Sequence, residues 1–288
     1  MAMGRSSRER LRVARIGFLN VLPIFHPLET GVIPHGFEFV SGTPSYLNGL
    51  MAAGDLDLGV VSSIEYARHP ERYFILPDLS ISCFGPVKSV ILFSRVPIAD
   101  LAGETILATA QSHTSVALLK VFFALKFGME ARFETANCSE ALSRGERPAA
   151  FLAIGDEALR LSRHETYTHR MDLGEAWREW TGLPFVFAVW VIQRKAFEQW
   201  NGRIKAALTA LADAKAWGRF HLDEVCSVAA LKGVLTAPEL REYYQCLGSD
   251  LGPLEQQGLK LFYDYLQRIG EIDAAPRLDI CSPLECVA

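Results

Sequence analysis

The 288-residue sequence predicts a two-lobed α/β fold with a hinge of two crossing strands and a helical C-terminal segment. Three observations carry that expectation. Short apolar runs alternate with helical patterns through the first two-thirds of the chain, as in α/β units. Two runs, 87–95 and 185–194, fall where one lobe would be left and re-entered. From about residue 195 onward the pattern is helical.

RVARIGF, 12–18, reads as the first strand. One carboxamide, Asn20, follows it, with Pro23 close behind. Asn at a strand end is either a turn residue or one of the groups that α/β proteins turn toward ligands. TPSYLNGLMAAGD reads as a helix with Leu47, Leu50 and Met51 on one face and Gly54 as its stop. LDLGVV is a buried strand, and Ser62 and Ser63 then cap a helix beginning SIEYAR. After a tight turn at Gly85–Pro86, VKSVILFS is a strand rich in β-branched residues.

A second unit begins near Pro97–Asp100. ETILATA is a strand, and SHTSVALLKVFFALKFG is a helix ended by Gly128. ARFETAN and AAFLAIG are strands, with helix starts at Ser139 and Asp156. GEAWREWTGLP is a helix stopped by Gly182 and Pro184, and FVFAVWVIQR is apolar enough to lie inside a sheet. The expected division is 12–95 with 188–288 as lobe one, 96–187 as lobe two, and 1–11 as a flexible N-terminus. A hinge between such lobes makes a cleft that can close on a ligand.

Half of the residues are hydrophobic and 22% are charged, so a sizeable core is available. The net charge of −4 and the dispersed 29 Lys and Arg provide no basic field for nucleic acid. No apolar run reaches the roughly 18 residues of a membrane span, so no membrane partner is expected. The basic N-terminus resembles a signal peptide, but Asn20, Pro23, His26 and Pro27 break the apolar segment after it, which points to a cytoplasmic protein. Cysteines 83, 138, 226, 246, 281 and 286 match no metal spacing and read as reduced thiols, with Cys281 and Cys286 in a tail that could expose them. The phosphate-binding loop, the dinucleotide glycine fingerprint, the zinc-protease helix and the nucleophile elbow are all missing, so the chain shows no nucleotide, dinucleotide or metal signature.

What remains is a set of small polar residues at strand-to-helix junctions. Asn20 follows the first strand, Ser62 and Ser63 follow LGVV, and Ser112, His113, Thr114 and Ser115 follow TILAT. Each such junction exposes backbone N–H groups that can seat a carboxylate. Seats on opposite lobes suit a small molecule with two carboxylates, although each serine could equally be a simple cap. Ser89 interrupts an otherwise apolar strand, where its hydroxyl can hold a substrate or satisfy a backbone carbonyl. His113 can act as a base or sit solvated, and Asp156 can cap a helix or line the cleft mouth. Glu65 suits a helix's first turn, and Trp177, Trp180 and Phe185 suit either an aromatic pocket or the core.

IGFLNVLPI, GPVKSVILFSR, SHTSVALLK, AFLAIGDEAL and above all DLGEAWREWTGLPFVFAVWV resemble the menaquinone-biosynthesis enzymes of the futalosine route, in their chorismate dehydratase branch. The similarity runs from about residue 12 to 195. It implies a periplasmic-binding-protein-like (type II) fold, a cytoplasmic enzyme, and dehydration of chorismate to 3-(1-carboxyvinyloxy)benzoate without metal or redox cofactor. It also implies that the substrate's own enolpyruvyl carboxylate takes the proton, assisted by an Asn and a Ser that match Asn20 and Ser89. The resemblance departs at Phe18, where the family's pattern has Tyr. A sister branch, which makes dihydroxynaphthoate with a catalytic His, lacks its opening-strand motif here. A carboxylate-binding receptor of the same fold is the non-enzymatic alternative.

Overall fold

Apolar runs too short for helices become the strands of two five-stranded sheets among the residues that the computed structural model describes, 9–162 and 165–281. The chain starts with β1 (Leu11–Ile16), a 3-10 turn at Leu19–Val21 and helix α1 (Leu22–Glu29). It continues through β2 (Phe37–Gly42), α2 (Pro44–Ala53), β3 (Leu58–Ser62), α3 (Ser63–Arg68) and the long β4 (Tyr73–Cys83). The second unit contains β5 (Val90–Ser94), β6 (Thr105–Thr109), α4 (His113–Val121), β7 (Arg132–Ala136) and α5 (Cys138–Ser143). It ends with β8 (Ala150–Ile154), α6 (Gly155–Leu161), β9 (His169–Asp172) and α7 (Leu173–Thr181). Then come β10 (Phe185–Gln193), α8 (Arg194–Gln199), α9 (Asn201–Phe220), α10 (Leu222–Ala230), α11 (Ala237–Cys246) and α12 (Pro253–Arg268).

The first sheet has the order β2-β1-β3-β10-β4 and the second β7-β6-β8-β5-β9. In each, three parallel strands are followed by one antiparallel strand, β10 or β5, that has just crossed from the other lobe. The crossings are short, residues 84–89 and 182–184. The carboxyl ends of β1, β3, β6 and β8 therefore meet where the lobes face each other, the position in which α/β sheets bind ligands.

Several expectations need correction. The strand at 87–94 does not belong to lobe one: Val90–Ser94 pairs with β8 and β9 in the second sheet. Its five residues are all buried, so its pattern reads alike in either sheet. All of β10, from Phe185, lies in the first sheet, which moves that boundary back from 188. Leu11 opens β1 opposite Phe37 instead of ending a flexible segment, while residues 1–8 lie outside the described ones. Cys281 is buried and its N–H donates to Ile75, whereas Cys286 lies outside the described residues. Trp177 and Phe185 belong to the core: Trp177 is fully buried, edge-on to Phe185 and Phe262, with its indole N–H donating to the Pro184 carbonyl at 3.2 Å. The partly buried Trp180 packs against that core, stacked on Tyr265.

Four elements carry weak sequence signals. β2 and β9 are edge strands, β9 of only four residues, and β4 contains Pro77 and an Asp78 with φ of 52°, which only an edge strand tolerates. α1 holds two prolines. Pro23 sits in the first turn, where no N–H is needed, but Pro27 leaves the Pro23 carbonyl without its helical donor. α9 packs directly on that carbonyl through Gly218, where a Cβ would come within 2.1 Å of the oxygen.

Candidate active site

Between the sheets lies a cleft of about 920 Å³, open solvent at its mouth included. Lobe one brings Phe18, Asn20, Asn48 and Ser62 to it, and lobe two brings Ser89, Gln111, Ser112, His113 and Ser115. Apolar side chains such as Ile16, Val60, Ile81, Phe187 and Leu247 form much of the remaining wall. Among the described residues no Asp, Glu, Lys or Arg lines the cleft, and His113, exposed at the mouth, is the one imidazole there. The polar groups that these residues turn to the cleft are mainly hydroxyls, amides and backbone dipoles.

Asn20 stands in the 3-10 turn after β1, so the strand end is both a turn and a cleft wall. That turn is fastened on three sides. The Leu19 N–H donates to Asp156 at 3.2 Å, the Tyr244 hydroxyl donates to the Leu19 carbonyl at 3.0 Å, and Lys232 donates to the Gly17 carbonyl at 2.8 Å. Burial lowers the pKa of Lys232. Against this fixed frame, Asn20 Oδ1 and Ser62 Oγ are buried with no protein hydrogen-bond partner among the described residues. An unsatisfied buried polar atom costs about 1–3 kcal/mol, so two at one cleft make Asn20 and Ser62 candidate ligand contacts.

Ser89 is 3% exposed. Its Oγ donates to the Val87 carbonyl at 3.3 Å and accepts from the Tyr243 hydroxyl at 3.0 Å. Its own carbonyl accepts from the Gly155 N–H at 2.7 Å, tying β5 to the start of α6. The preceding turn is held by Asp172, which accepts from the N–H groups of Val87 at 3.0 Å and Lys88 at 2.7 Å while capping α7. Lys88 has φ of 61°, a left-handed conformation that costs a non-glycine residue about 1 kcal/mol and that these two bonds enforce. Burial pushes the pKa of Asp172 up, against the pull of its four backbone donors.

At the start of α4, Ser112 accepts from the Ser115 N–H at 3.2 Å, and the two hydroxyls lie 2.9 Å apart. This leaves a capped helix N-terminus at the cleft, a favourable place for an anion. Three expected ligand contacts do not line the cleft. Thr114 is fully buried and its hydroxyl accepts from the Ile64 N–H at 3.1 Å, joining α4 to α3. Ser63 donates to the Val186 carbonyl at 2.5 Å, and Asp156 is committed to Leu19. These residues tie elements together, and two of the ties, Thr114 and Asp156, run from one lobe to the other. Asn48, Gln111, Tyr243 and Tyr244 went unnoticed in the sequence. Asn48 looks like the solvent face of a helix, and nothing in YY announces two buried hydroxyls.

Two α/β sheets, cross-linked by paired strand crossings around a neutral cleft, define a periplasmic-binding-protein-like fold. Solved structures superimpose on most of the chain. Protein AF1704 from Archaeoglobus fulgidus matches with a TM-score of 0.74 at 17% identity, over 93% of this chain and all of that one. The periplasmic aliphatic sulphonate binding protein SsuA from Escherichia coli matches at 0.67 and 18% identity, over 96% of this chain and 93% of that one. Within the class, the chain belongs to the menaquinone biosynthesis family, whose model matches residues 11–268. The chorismate dehydratase of Thermus thermophilus is 32% identical over 265 residues, 86% of this chain and 92% of that protein. The chorismate dehydratase of Campylobacter jejuni is 29% identical over 187 residues, 63% and 68% of the two chains.

Proposed function

We propose that this protein is a carbon–oxygen lyase that dehydrates chorismate to 3-(1-carboxyvinyloxy)benzoate. The family and its two chorismate dehydratase relatives support the reaction, and one observation about the cleft supports the way it runs. Among the described residues no carboxylate or lysine lines the cleft, and His113 stands at its exposed mouth. The walls thus offer no well-placed protein base, so the base is supplied by the substrate.

In this reading the enolpyruvyl carboxylate takes the proton from the ring carbon that bears the ether. The C–H electron pair becomes the new ring double bond, and the neighbouring C–OH bond breaks with its pair on oxygen. The proton ends on the departing hydroxide, giving water, and the carboxylate is regenerated. The protein's contribution is to fix the carboxylate against that hydrogen, an intramolecular arrangement with an effective molarity of up to ~10⁵ M or more. Asn20 and Ser89 supply hydrogen bonds to the charge that develops, from a wall where few other dipoles compete. The α4 N-terminus and Ser62 suit the two carboxylates. A cytoplasmic location and a small diacid partner go with this reading.

The test is to incubate the purified chain with chorismate and follow the aromatic enolpyruvyl ether by proton NMR. Aromatic signals growing as the diene protons vanish are expected. Unchanged chorismate that nevertheless binds tightly would replace this reading with a receptor.

A further inference from the structure

The helix α11 sends two consecutive phenols into the site from behind, and neither touches the cleft itself. Tyr243 donates to Ser89 Oγ at 3.0 Å, and Tyr244 donates to the Leu19 carbonyl at 3.0 Å. Successive residues on a helix point about 100° apart, so one helix reaches both targets only by lying wedged between them. α11 is so wedged. Tyr243, Tyr244 and Leu240 pack in a cluster of their own with Leu19 and Leu22 from lobe one, Leu159 from α6 of lobe two, and Val225 from α10. Lys88, next to Ser89, also pairs with Glu242 on the same helix, Nζ to Oε2 at 3.3 Å.

The direction of the Tyr243 bond has a chemical consequence. A serine hydroxyl has one proton and two lone pairs, and a phenol at hydrogen-bond distance that donates occupies one lone pair. That leaves the Ser89 proton and one lone pair, and the proton rests on the Val87 carbonyl at a long 3.3 Å, a weak bond that a better acceptor on a ligand can replace. Hydrogen bonds in a chain polarise one another, so a donating phenol makes Ser89 a stronger donor. Tyr243 is 1% exposed, and burial pushes its phenol up, which keeps the proton in place at any pH of interest.

We propose that Tyr243 is a positioning residue that fixes Ser89 as a hydrogen-bond donor toward the substrate oxygen, with Tyr244 holding the Asn20 turn in register on the same helix. The inference rests on the dehydration proposed above. It gives α11, which contributes nothing to the cleft lining, a part in the chemistry.

The experiment is a double-mutant cycle of Tyr243→Phe and Ser89→Ala, with kcat and KM for chorismate and the melting temperature of each variant. Tyr243→Phe is expected to lower kcat about 10- to 100-fold with KM within about twofold, the mark of a bond that strengthens in the transition state. In the Ser89→Ala background the same change should cost less than about twofold, because its route to the substrate is already gone. An equal loss in both backgrounds, or a kcat in Tyr243→Phe near that of the parent, overturns the inference. A parent protein that leaves chorismate unchanged overturns it together with the functional reading, whereas an active parent with an indifferent Tyr243 removes only the inference. Should the Phe variant not fold, 3-fluorotyrosine at position 243 keeps the hydroxyl and strengthens it as a donor. A kcat that moves only when Ser89 is present supports the inference, and one that moves equally without Ser89 defeats it.

Discussion

Asn20 and Ser62 bury oxygens at the cleft with no hydrogen-bond partner among the described residues, which costs stability. Asn20→Ala should therefore lower kcat on chorismate by about 100-fold while the melting temperature stays level or rises. Activity assays beside thermal melts check this, and a parallel collapse of both would make Asn20 structural. Ser62→Ala should likewise preserve stability and raise KM. His113 is exposed at the mouth, so His113→Gln should keep kcat within about tenfold of the parent. Total loss would mean that the imidazole is a base after all. Asn20 was legible as a candidate because a lone amide ends an apolar strand. Its partnerless oxygen was not, since that depends on what Asp156, Tyr244 and Lys232 do around it.

At the scale of elements, close approaches and one ion-pair cluster decide how the helices sit. α9 reaches the carbonyl left open by Pro27 only because Gly218 has no side chain. Gly218→Ala should cost about 1–3 kcal/mol through strain, despite the higher helix propensity of Ala, and calorimetry should show a melting point lower by a few degrees. A rise would mean that α9 is free to shift. α9 also carries Lys215 and Arg219, which meet the Asp250 carboxylate at 2.6 and 2.7 Å. Burial raises the pKa of Asp250, but the hydrogen bonds and charges of the two cations outweigh it and hold the carboxyl below its ordinary 3.8. A folded value below the unfolded one adds stability above the unfolded value, and that stability is lost as pH falls through the folded value. Asp250→Asn should therefore show a shallower loss of urea stability than the parent as pH falls below about 4, by a modest amount because Asp250 and Arg219 are about half exposed. An unchanged acid slope would remove Asp250 from the acid response.

Across the whole molecule, residues first expected to touch a ligand hold the lobes to each other. Thr114 takes the Ile64 N–H, Asp156 takes the Leu19 N–H, and the second core cluster draws α6 of one lobe against α10 and α11. Thr114→Val keeps the side-chain shape but strands a buried N–H, which should cost about 1–3 kcal/mol. Denaturation should register that loss with KM nearly unchanged, whereas a KM raised tenfold in a stable variant would return Thr114 to the binding surface.

The sequence by itself determined that this is an α/β chain with a helical end, and it pointed to Asn20, Ser62, Ser89 and the 112–115 junction. Hydrophobic period, helix caps and small polar groups at strand ends are local properties, written within a few residues of one another. The tertiary structure decided which sheet receives Val90–Ser94, which junction residues face the cleft and which lock the lobes. It also decided that Tyr243 and Tyr244 stand behind the site. Those outcomes depend on hydrogen bonds between residues 50 to 225 positions apart, and no local pattern carries them.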